Sequence, residues 1–207
     1  DLHSFPTRRS SDLWSYRGAQ PAPAASVSAS VPVGGSSSEG GADESLCGLD
    51  PGDQTLPSGP LEYQQLRVAI NVPDVEGVGP GIKENITHCF AHSPRGALVA
   101  AVNFMRWFSS REQILEVITT LMADDENRTR LADRVDAEWD RTTTTPQVIR
   151  GYRIEMRGPD EAAVTLATSM SVSDDVYVSW PLVLVWQDGD WRVKAPEVDS
   201  FGQQREE

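Results

Sequence analysis

The spacing of apolar residues along the chain predicts a helical region followed by a strand-rich region. The clearest helix starts at Ser93 and runs to about residue 109. Ser93 can accept hydrogen bonds from the free N–H groups of the first turn, and Pro94 suits the first helical position. Only three clearly polar side chains interrupt this helix as far as Phe108. Apolar side chains on all sides predict a helix that the rest of the domain surrounds.

Two shorter helices are predicted next. Ser110–Gln113 is a capping-box pattern, which opens the second helix. The acidic run Asp124–Glu126 marks the start of the third helix, because carboxylates stabilise the positive end of a helix dipole. The run Thr142–Pro146 ends the helical region, since β-branched residues and proline do not continue a helix. The predicted apolar side of the second helix is Ile114, Leu115, Ile118, Leu121 and Met122, and that of the third is Leu131, Val135 and Trp139.

From about residue 152 the apolar period changes to two, which predicts β-strands. Turns between these strands are predicted at Gly158–Asp160, at Asp174–Asp175 and at Asp188–Gly189. The last of these is a strong hairpin signal, because an Asp-Gly pair separates two strand patterns. Pro181 lies within the third strand of this region, where it requires an edge position or a bulge.

An additional strand is predicted at Leu61–Val72, ahead of the helices. One strand, three helices and a four-stranded antiparallel meander together predict an α+β domain over residues 61–199, with a curled sheet closing over the helices. The order of elements and the terminal tryptophan hairpin resemble the nuclear transport factor 2-like (cystatin-like) fold. A polar tail, residues 200–207, follows the domain.

The N-terminal part of the chain has no apolar periodicity. Residues 14–60 are rich in Pro, Ala, Ser and Gly, and such a composition cannot bury enough apolar surface to offset chain entropy. These residues are therefore predicted to form a disordered tether. Residues 1–13 match the translation, in one reading frame, of a common sequencing adapter, so they are set aside as an artefact. The natural N-terminus is accordingly expected to be missing.

The chain is strongly acidic, with a formal net charge of -13. Residues 1–13 carry two Arg and two Asp, so setting them aside leaves that charge unchanged. An acidic chain without a Lys/Arg cluster argues against a nucleic-acid partner. No apolar run approaches the length of a membrane span. The two cysteines, Cys47 and Cys89, allow one bridge, whereas in a cytosolic protein such a pair more often remains as buried thiols.

Two segments resemble a particular family. Leu46–Leu49, followed by Asp53–Pro57, is similar to the entry segment of single-pass proteins from actinobacterial mobile elements. Cys89–Leu98, followed by Ala100–Asn103, is similar to the same proteins, and its Cys-Phe-Ala-His-Ser-Pro run is the most specific part. The resemblance covers about residues 45–199. These proteins carry a domain of unknown function.

The resemblance implies a location and a role. It implies a membrane helix upstream of this chain, a domain outside the cytoplasm, and a disulfide between Cys47 and Cys89, which match the family's pair. It further implies a non-enzymatic structural or protein-interaction role accessory to conjugative transfer or the cell envelope. Protein partners at the membrane follow from that role, an oligomer is possible, and no cofactor or metal is expected.

Cys89 and the two nearby histidines suggest two kinds of reactive site, and the sequence supports neither. A nucleophile formed by Cys89 with His88 or His92 requires an exposed thiolate oriented by its base, which adjacency in sequence does not supply. A metal site at His88 and His92 lacks the further ligands that zinc requires. We therefore predict that His92 forms hydrogen bonds at the start of the first helix.

The alternative function is small-molecule binding or an isomerase-like activity in the cavity of a curled sheet, with Tyr152, Tyr177 and the strand tryptophans as its lining. No carboxylate lies alone on an inward-facing strand stripe, and the acidic residues Asp174, Asp175, Asp188 and Asp190 are predicted to be solvated at turns. The large aromatic residues are predicted to pack in the core instead. They are Phe104, Trp107, Phe108, Trp180, Trp186 and Trp191.

Overall fold

The fold was derived from a computed structural model of the chain. It describes residues 44–59, 74–108, 111–138, 147–170 and 173–197. The predicted strand Leu61–Val72, the adapter-like residues 1–13, most of the predicted tether and the polar tail lie outside the described residues.

The described residues form three α-helices at the predicted places. They are α1, Pro94–Phe108; α2, Ile114–Leu121, preceded by a short 3₁₀ turn at Arg111–Gln113; and α3, Glu126–Glu138. Ser93 caps α1 as predicted, since its Oγ accepts the N–H of Gly96 at 3.0 Å. Asp125 starts α3 in the same way, because its Oδ1 accepts the N–H of Arg128 at 2.8 Å. The capping box predicted at Ser110–Gln113 is not seen, because the N-cap of α2 is Gln113, which makes no side-chain capping hydrogen bond, and Ser110 lies outside the described residues.

Helix α1 is buried along almost its whole length, as its apolar surface predicts. Thirteen of its residues are buried, including the polar Asn103. Asn103 is tied to the preceding loop, because its Nδ2 donates to the backbone oxygen of Thr87 at 2.6 Å and its Oδ1 accepts the Thr87 hydroxyl at 2.6 Å. The Nε1 of Trp107 also donates to Thr87 Oγ1 at 2.6 Å. This polar cluster fixes the loop on α1, since a buried polar group must be hydrogen-bonded.

The predicted apolar side of α2 is wrong at one position. Leu115 is 40% exposed, whereas Val117 is fully buried. At 100° per residue, Val117 lies on the same face as Ile114, Ile118 and Leu121, and Leu115 lies beside that face. On α3, Leu131 and Val135 pack against the core as predicted, and Trp139 lies outside the described residues.

The four strands of the described chain form an antiparallel meander in the order β1-β2-β3-β4. They are β1, Gln147–Met156; β2, Glu161–Met170; β3, Ser173–Gln187; and β4, Asp190–Val193. The turn predicted at Asp174–Asp175 is misplaced, because β3 already begins at Ser173, which pairs with Met170. Pro181 pairs with Thr165 on β2, while the described part of β4 pairs only with residues 184–187. Among the described strands, Pro181 has no partner on the side away from β2, which agrees with the predicted edge position.

The sheet and α1 enclose the core, which confirms an α+β domain. Helix α1 contacts all four strands. The inward side chains of β2 and β3 are buried, namely Ala162, Val164, Leu166, Leu182 and Leu184. Among the helices described, none combines the length and the apolar character needed to cross a membrane.

Candidate functional site

The residues singled out for chemistry meet where three parts of the chain converge. These parts are residues 44–59, the loop of residues 74–92 that leads into α1, and the β3–β4 hairpin. We call residues 44–59 the strap. We call the cluster of Cys47, Cys89, His92, Asp190 and Trp191 the Cys89 junction.

A disulfide joins the strap to the loop before α1. The sulfurs of Cys47 and Cys89 are bonded, with their Cα atoms 6.2 Å apart. Cys89 is fully buried and Cys47 is half-buried. Cys89 Sγ also lies 3.0 Å from the backbone N–H of Cys47 and 3.0 Å from the hydroxyl of Ser45, both of which donate to it. Cys89 therefore serves as an attachment point and presents no free thiol for nucleophilic chemistry.

The backbone at Cys89 is held by the carboxylate of Asp190. Asp190 Oδ2 accepts the N–H of Cys89 at 2.8 Å, and Oδ1 accepts those of Phe90 and Trp191 at 2.9 and 2.8 Å. Cys89 has φ 71°, a left-handed conformation that is uncommon for a residue with a side chain. The three N–H bonds stabilise this turn of the chain, because hydrogen bonds to a charged acceptor are stronger than neutral ones.

The prediction that Asp190 is a solvated turn residue is wrong. Its exposed fraction is 1%, whereas Asp188, two residues earlier in the same hairpin, is exposed and lies at the turn. Burial raises the pKa of Asp190, while the three backbone N–H groups and the positive charge of Arg192 oppose that shift. Asp190 was missed because two of the three donors that it serves, the N–H groups of Cys89 and Phe90, lie about a hundred residues away in sequence.

His92 is buried against the hairpin. Its ring stacks on Trp186 with ring centroids 4.1 Å apart, and Nε2 lies 3.1 Å from the backbone oxygen of Pro159 and 3.0 Å from Asp160 Oδ1. The predicted hydrogen bonding of His92 next to α1 is confirmed. His88 turns back on its own loop, where its Nδ1 lies 2.8 Å from the oxygen of Ile86. Within the described residues, no group of three His, Cys, Asp or Glu side chains is arranged to hold a metal ion.

Backbone and side-chain hydrogen bonds also attach the strap to the domain. The N–H of Leu46 donates to the oxygen of Gly189 at 2.8 Å, and Gln54 Nε2 donates to the oxygen of His92 at 3.0 Å. The hydroxyl of Tyr152 donates to the oxygen of Gly59 at 3.1 Å. Residues 44–59, assigned from composition to the tether, thus lie against the domain.

Two glycines permit this close approach. A Cβ on Gly189 would lie 2.7 Å from the nitrogen of Leu46, and one on Gly81 would lie 2.2 Å from Cys47 Sγ. Both distances are shorter than real Cβ contacts, so any side chain at these positions would displace the strap. The sequence does not predict the close approach of the strap, because the hairpin turn already explains a glycine at position 189.

The large aromatic side chains of α1 and of the β3–β4 hairpin pack in or against the core. Phe104, Trp107 and Trp191 are buried, and Phe108, Trp180 and Trp186 pack against the core, which confirms their predicted role. Tyr152 directs its hydroxyl to the strap, and Tyr177 lies in β3, where it pairs with Ser169. An open depression of about 480 Å³ lies elsewhere, on the loop of residues 74–83 beside Leu49.

The comparisons with known proteins identify one family. The family model described as "Domain of unknown function (DUF8175)" matches residues 27–206. No curated protein and no solved structure gives a significant match to the chain.

Proposed function

The chain belongs to the family described as "Domain of unknown function (DUF8175)", and we propose that it is the extracytoplasmic part of a membrane-anchored protein. Its proposed role is structural or in protein interaction. The proposed anchor is a membrane helix upstream of the chain, and residues 14–43 are the proposed tether between the anchor and the strap. Protein partners at the membrane are part of this proposal.

The Cys47–Cys89 disulfide is the observation that carries the proposal. Structural disulfides persist in oxidising compartments and are rare in the cytosol. This one joins the strap, the part nearest to the proposed tether, to the loop that leads into the central helix. Tension on the tether would thus reach the domain at the start of α1 rather than at a frayed end.

The disulfide does not bear on the fold family or on the biological setting, which we infer separately. We infer a nuclear transport factor 2-like fold from three helices followed by a four-stranded antiparallel meander that packs on α1. We infer an actinobacterial mobile-element origin, and a role accessory to conjugative transfer or the envelope, from the Cys-Phe-Ala-His-Ser-Pro segment at residues 89–94. Both inferences rest on resemblance.

The packing of the sheet supports a scaffold over catalysis in a cavity. An isomerase-like site needs a carboxylate that faces an open cavity. Both oxygens of Asp190, the buried carboxylate of the Cys89 junction, already accept backbone N–H groups. Beside it, Trp191 is buried in the core and Trp186 packs against it.

Surface labelling of the full-length gene product in protoplasts tests the proposed location. The sequence contains two lysines, Lys83 and Lys194, and both are exposed. A membrane-impermeant amine reagent is expected to modify both in intact protoplasts, with the protein recovered in the membrane fraction. A cytoplasmic protein with exposed lysines serves as the control. Labelling of Lys83 and Lys194 only after lysis would contradict the proposal.

A further inference from the structure

We propose that the Cys47–Cys89 disulfide is a redox-controlled latch: a dithiol reductant attacks Cys47 Sγ and releases the strap from a domain that stays folded. This inference rests on the proposed function, since the latch has a biological use only if the domain is tethered to a membrane.

The two cysteines differ in exposure, so a reductant can reach Cys47 more readily than Cys89. Cys89 is 0% exposed, whereas Cys47 is half-buried on a strap whose neighbouring residues Leu46 and Gly48 are exposed. Thiol–disulfide exchange depends on access to the attacked sulfur, so the reductant reaches Cys47 first.

The donors around Cys89 favour its departure as a thiolate. When Cys47 Sγ is attacked, Cys89 Sγ is the leaving group. The Cys47 N–H and the Ser45 hydroxyl both lie 3.0 Å from that sulfur and donate to it. Donors to a sulfur stabilise its thiolate form, and a better-stabilised thiolate leaves faster.

The chemistry balances with one dithiol. Its first thiolate forms a bond to Cys47 Sγ as the Cys47–Cys89 bond breaks, and the electron pair of that bond remains on Cys89 Sγ. The second thiolate of the reductant then attacks the mixed disulfide and releases Cys47 as a thiolate. Both cysteines take up protons, and the dithiol leaves as an oxidised disulfide.

After reduction, the two halves of the latch are held very unequally. Cys89 remains fixed by Asp190 and by burial against the core. The strap retains hydrogen bonds through Leu46, Gln54 and Gly59 and the contacts of Ser45 and Cys47 with Cys89 Sγ, and its two exposed leucines, Leu46 and Leu56, are 55% and 54% exposed. A segment with little buried apolar surface detaches readily once its covalent link is broken.

Release would lengthen the connection between the domain and the proposed anchor. An extended chain spans about 3.3 Å per residue, so residues 44–59 would add about 50 Å of reach. Release would also uncover Gly189 and the hairpin that the strap covers. Reduction would thus switch the domain from a short to a long attachment.

Trapping the mixed disulfide tests which sulfur is attacked. The oxidised full chain is treated briefly with limiting glutathione, quenched with acid and digested with trypsin, which separates Cys47 on residues 18–67 from Cys89 on residues 84–95. Glutathione is expected on Cys47 at least tenfold more often than on Cys89. Equal modification, or modification of Cys89, would overturn the proposal.

Hydrogen exchange tests what is released. After reduction with dithiothreitol, amides of the strap are expected to exchange at rates close to those of an unfolded chain, while those of α1 and β3 remain protected, although less strongly than in the oxidised protein. The latch is excluded if α1 also exchanges like an unfolded chain, since the domain then unfolds, or if the strap keeps its protection.

A pair of serine variants tests the leaving-group argument. Ser45→Ala should slow reduction by dithiothreitol about 2- to 10-fold, the equivalent of one net hydrogen bond. Ser58→Ala, on an exposed serine of the same strap, should leave the rate unchanged. Equal rates for both variants would contradict the role of Ser45. All these experiments start from oxidised protein in solution, so their failure would leave the proposed location intact.

Discussion

Asp188 and Asp190 illustrate how two residues with the same local signal reach opposite environments. Both border the Gly189 turn, yet Asp188 is exposed and Asp190 is 1% exposed. The burial follows from three N–H groups, two of them supplied by Cys89 and Phe90. Local pattern predicts the turn because turn chemistry is local. It cannot predict the partner of a buried carboxylate, because that partner is distant in sequence.

Asp190→Asn is expected to destabilise the domain by about 1–3 kcal/mol. The amide oxygen can keep the N–H donors of Phe90 and Trp191, but the amide nitrogen must then face the N–H of Cys89. Urea unfolding monitored by tryptophan fluorescence measures the effect. Asp188→Asn is the matched control and should change the free energy of unfolding by less than about 0.5 kcal/mol. Equal effects of the two substitutions would show that Asp190 does not organise the junction.

The raised pKa of Asp190 predicts a specific pH dependence. A raised pKa means that the folded state binds the proton more tightly than the unfolded chain. The contribution of Asp190 to the free energy of unfolding is therefore greatest below the unfolded pKa and falls as pH rises through the folded pKa.

The free energy of unfolding is measured for the wild type and for Asp190→Asn at each pH, and the second value is subtracted from the first. The difference reports the contribution of Asp190, because the contributions of the other carboxylates cancel. The difference should decrease with rising pH above about 4, the ordinary value for an aspartate. A difference that rises with pH would mean that folding lowers the pKa of Asp190, which contradicts the prediction.

At the scale of elements, periodicity predicts helices well where burial is one-sided or complete. The start of α1 at Pro94 and its burial follow from an apolar run behind a Ser-Pro cap. Leu115 was misassigned because a leucine counts as apolar wherever it lies on the helix. The early start of β3 at Ser173 was missed because acidic residues are typical of turns, whereas Asp174 and Asp175 lie within the strand.

Gly189→Ala tests how the strap lies on the β3–β4 hairpin. The substitution costs about 1 kcal/mol for the left-handed backbone at φ 76° and also places a methyl group 2.7 Å from Leu46 N. Gly77→Ala is the control, since Gly77 has φ 70° but open space around its Cβ position. Hydrogen exchange should show loss of strap protection in Gly189→Ala only. Equal loss in both variants would contradict the close approach.

At the scale of the whole molecule, the disulfide is the feature that most changes stability. Cys47→Ser opens a loop with a sequence separation of 42. The chain-entropy model assigns the loss of such a link about 4 kcal/mol. The variant should remain folded but unfold at lower urea, and reduced wild-type protein should match it. An unchanged urea midpoint would mean that the disulfide constrains neither the folded nor the unfolded chain.

The three helices and the four-stranded meander were predictable from sequence, whereas the assembly of the Cys89 junction was not. Turn and periodicity signals place α1 and the Trp186–Trp191 hairpin. The pairing of Cys47 with Cys89 came only from resemblance to a family. The contacts of Gly81, Gln54 and Tyr152 with the strap arise from tertiary packing, and no local pattern encodes them.

The oxidation state of Cys47 and Cys89 in the full-length protein, taken directly from the envelope of cells that make it, tests the central claim most directly. The cells are quenched in acid, the protein is alkylated under denaturing conditions with and without prior reduction, and the two cysteine-containing peptides are weighed by mass spectrometry. We predict no alkylation of either cysteine without reductant and complete alkylation of both after reduction. Two alkylated cysteines without reductant would contradict a disulfide-clipped domain outside the cytoplasm.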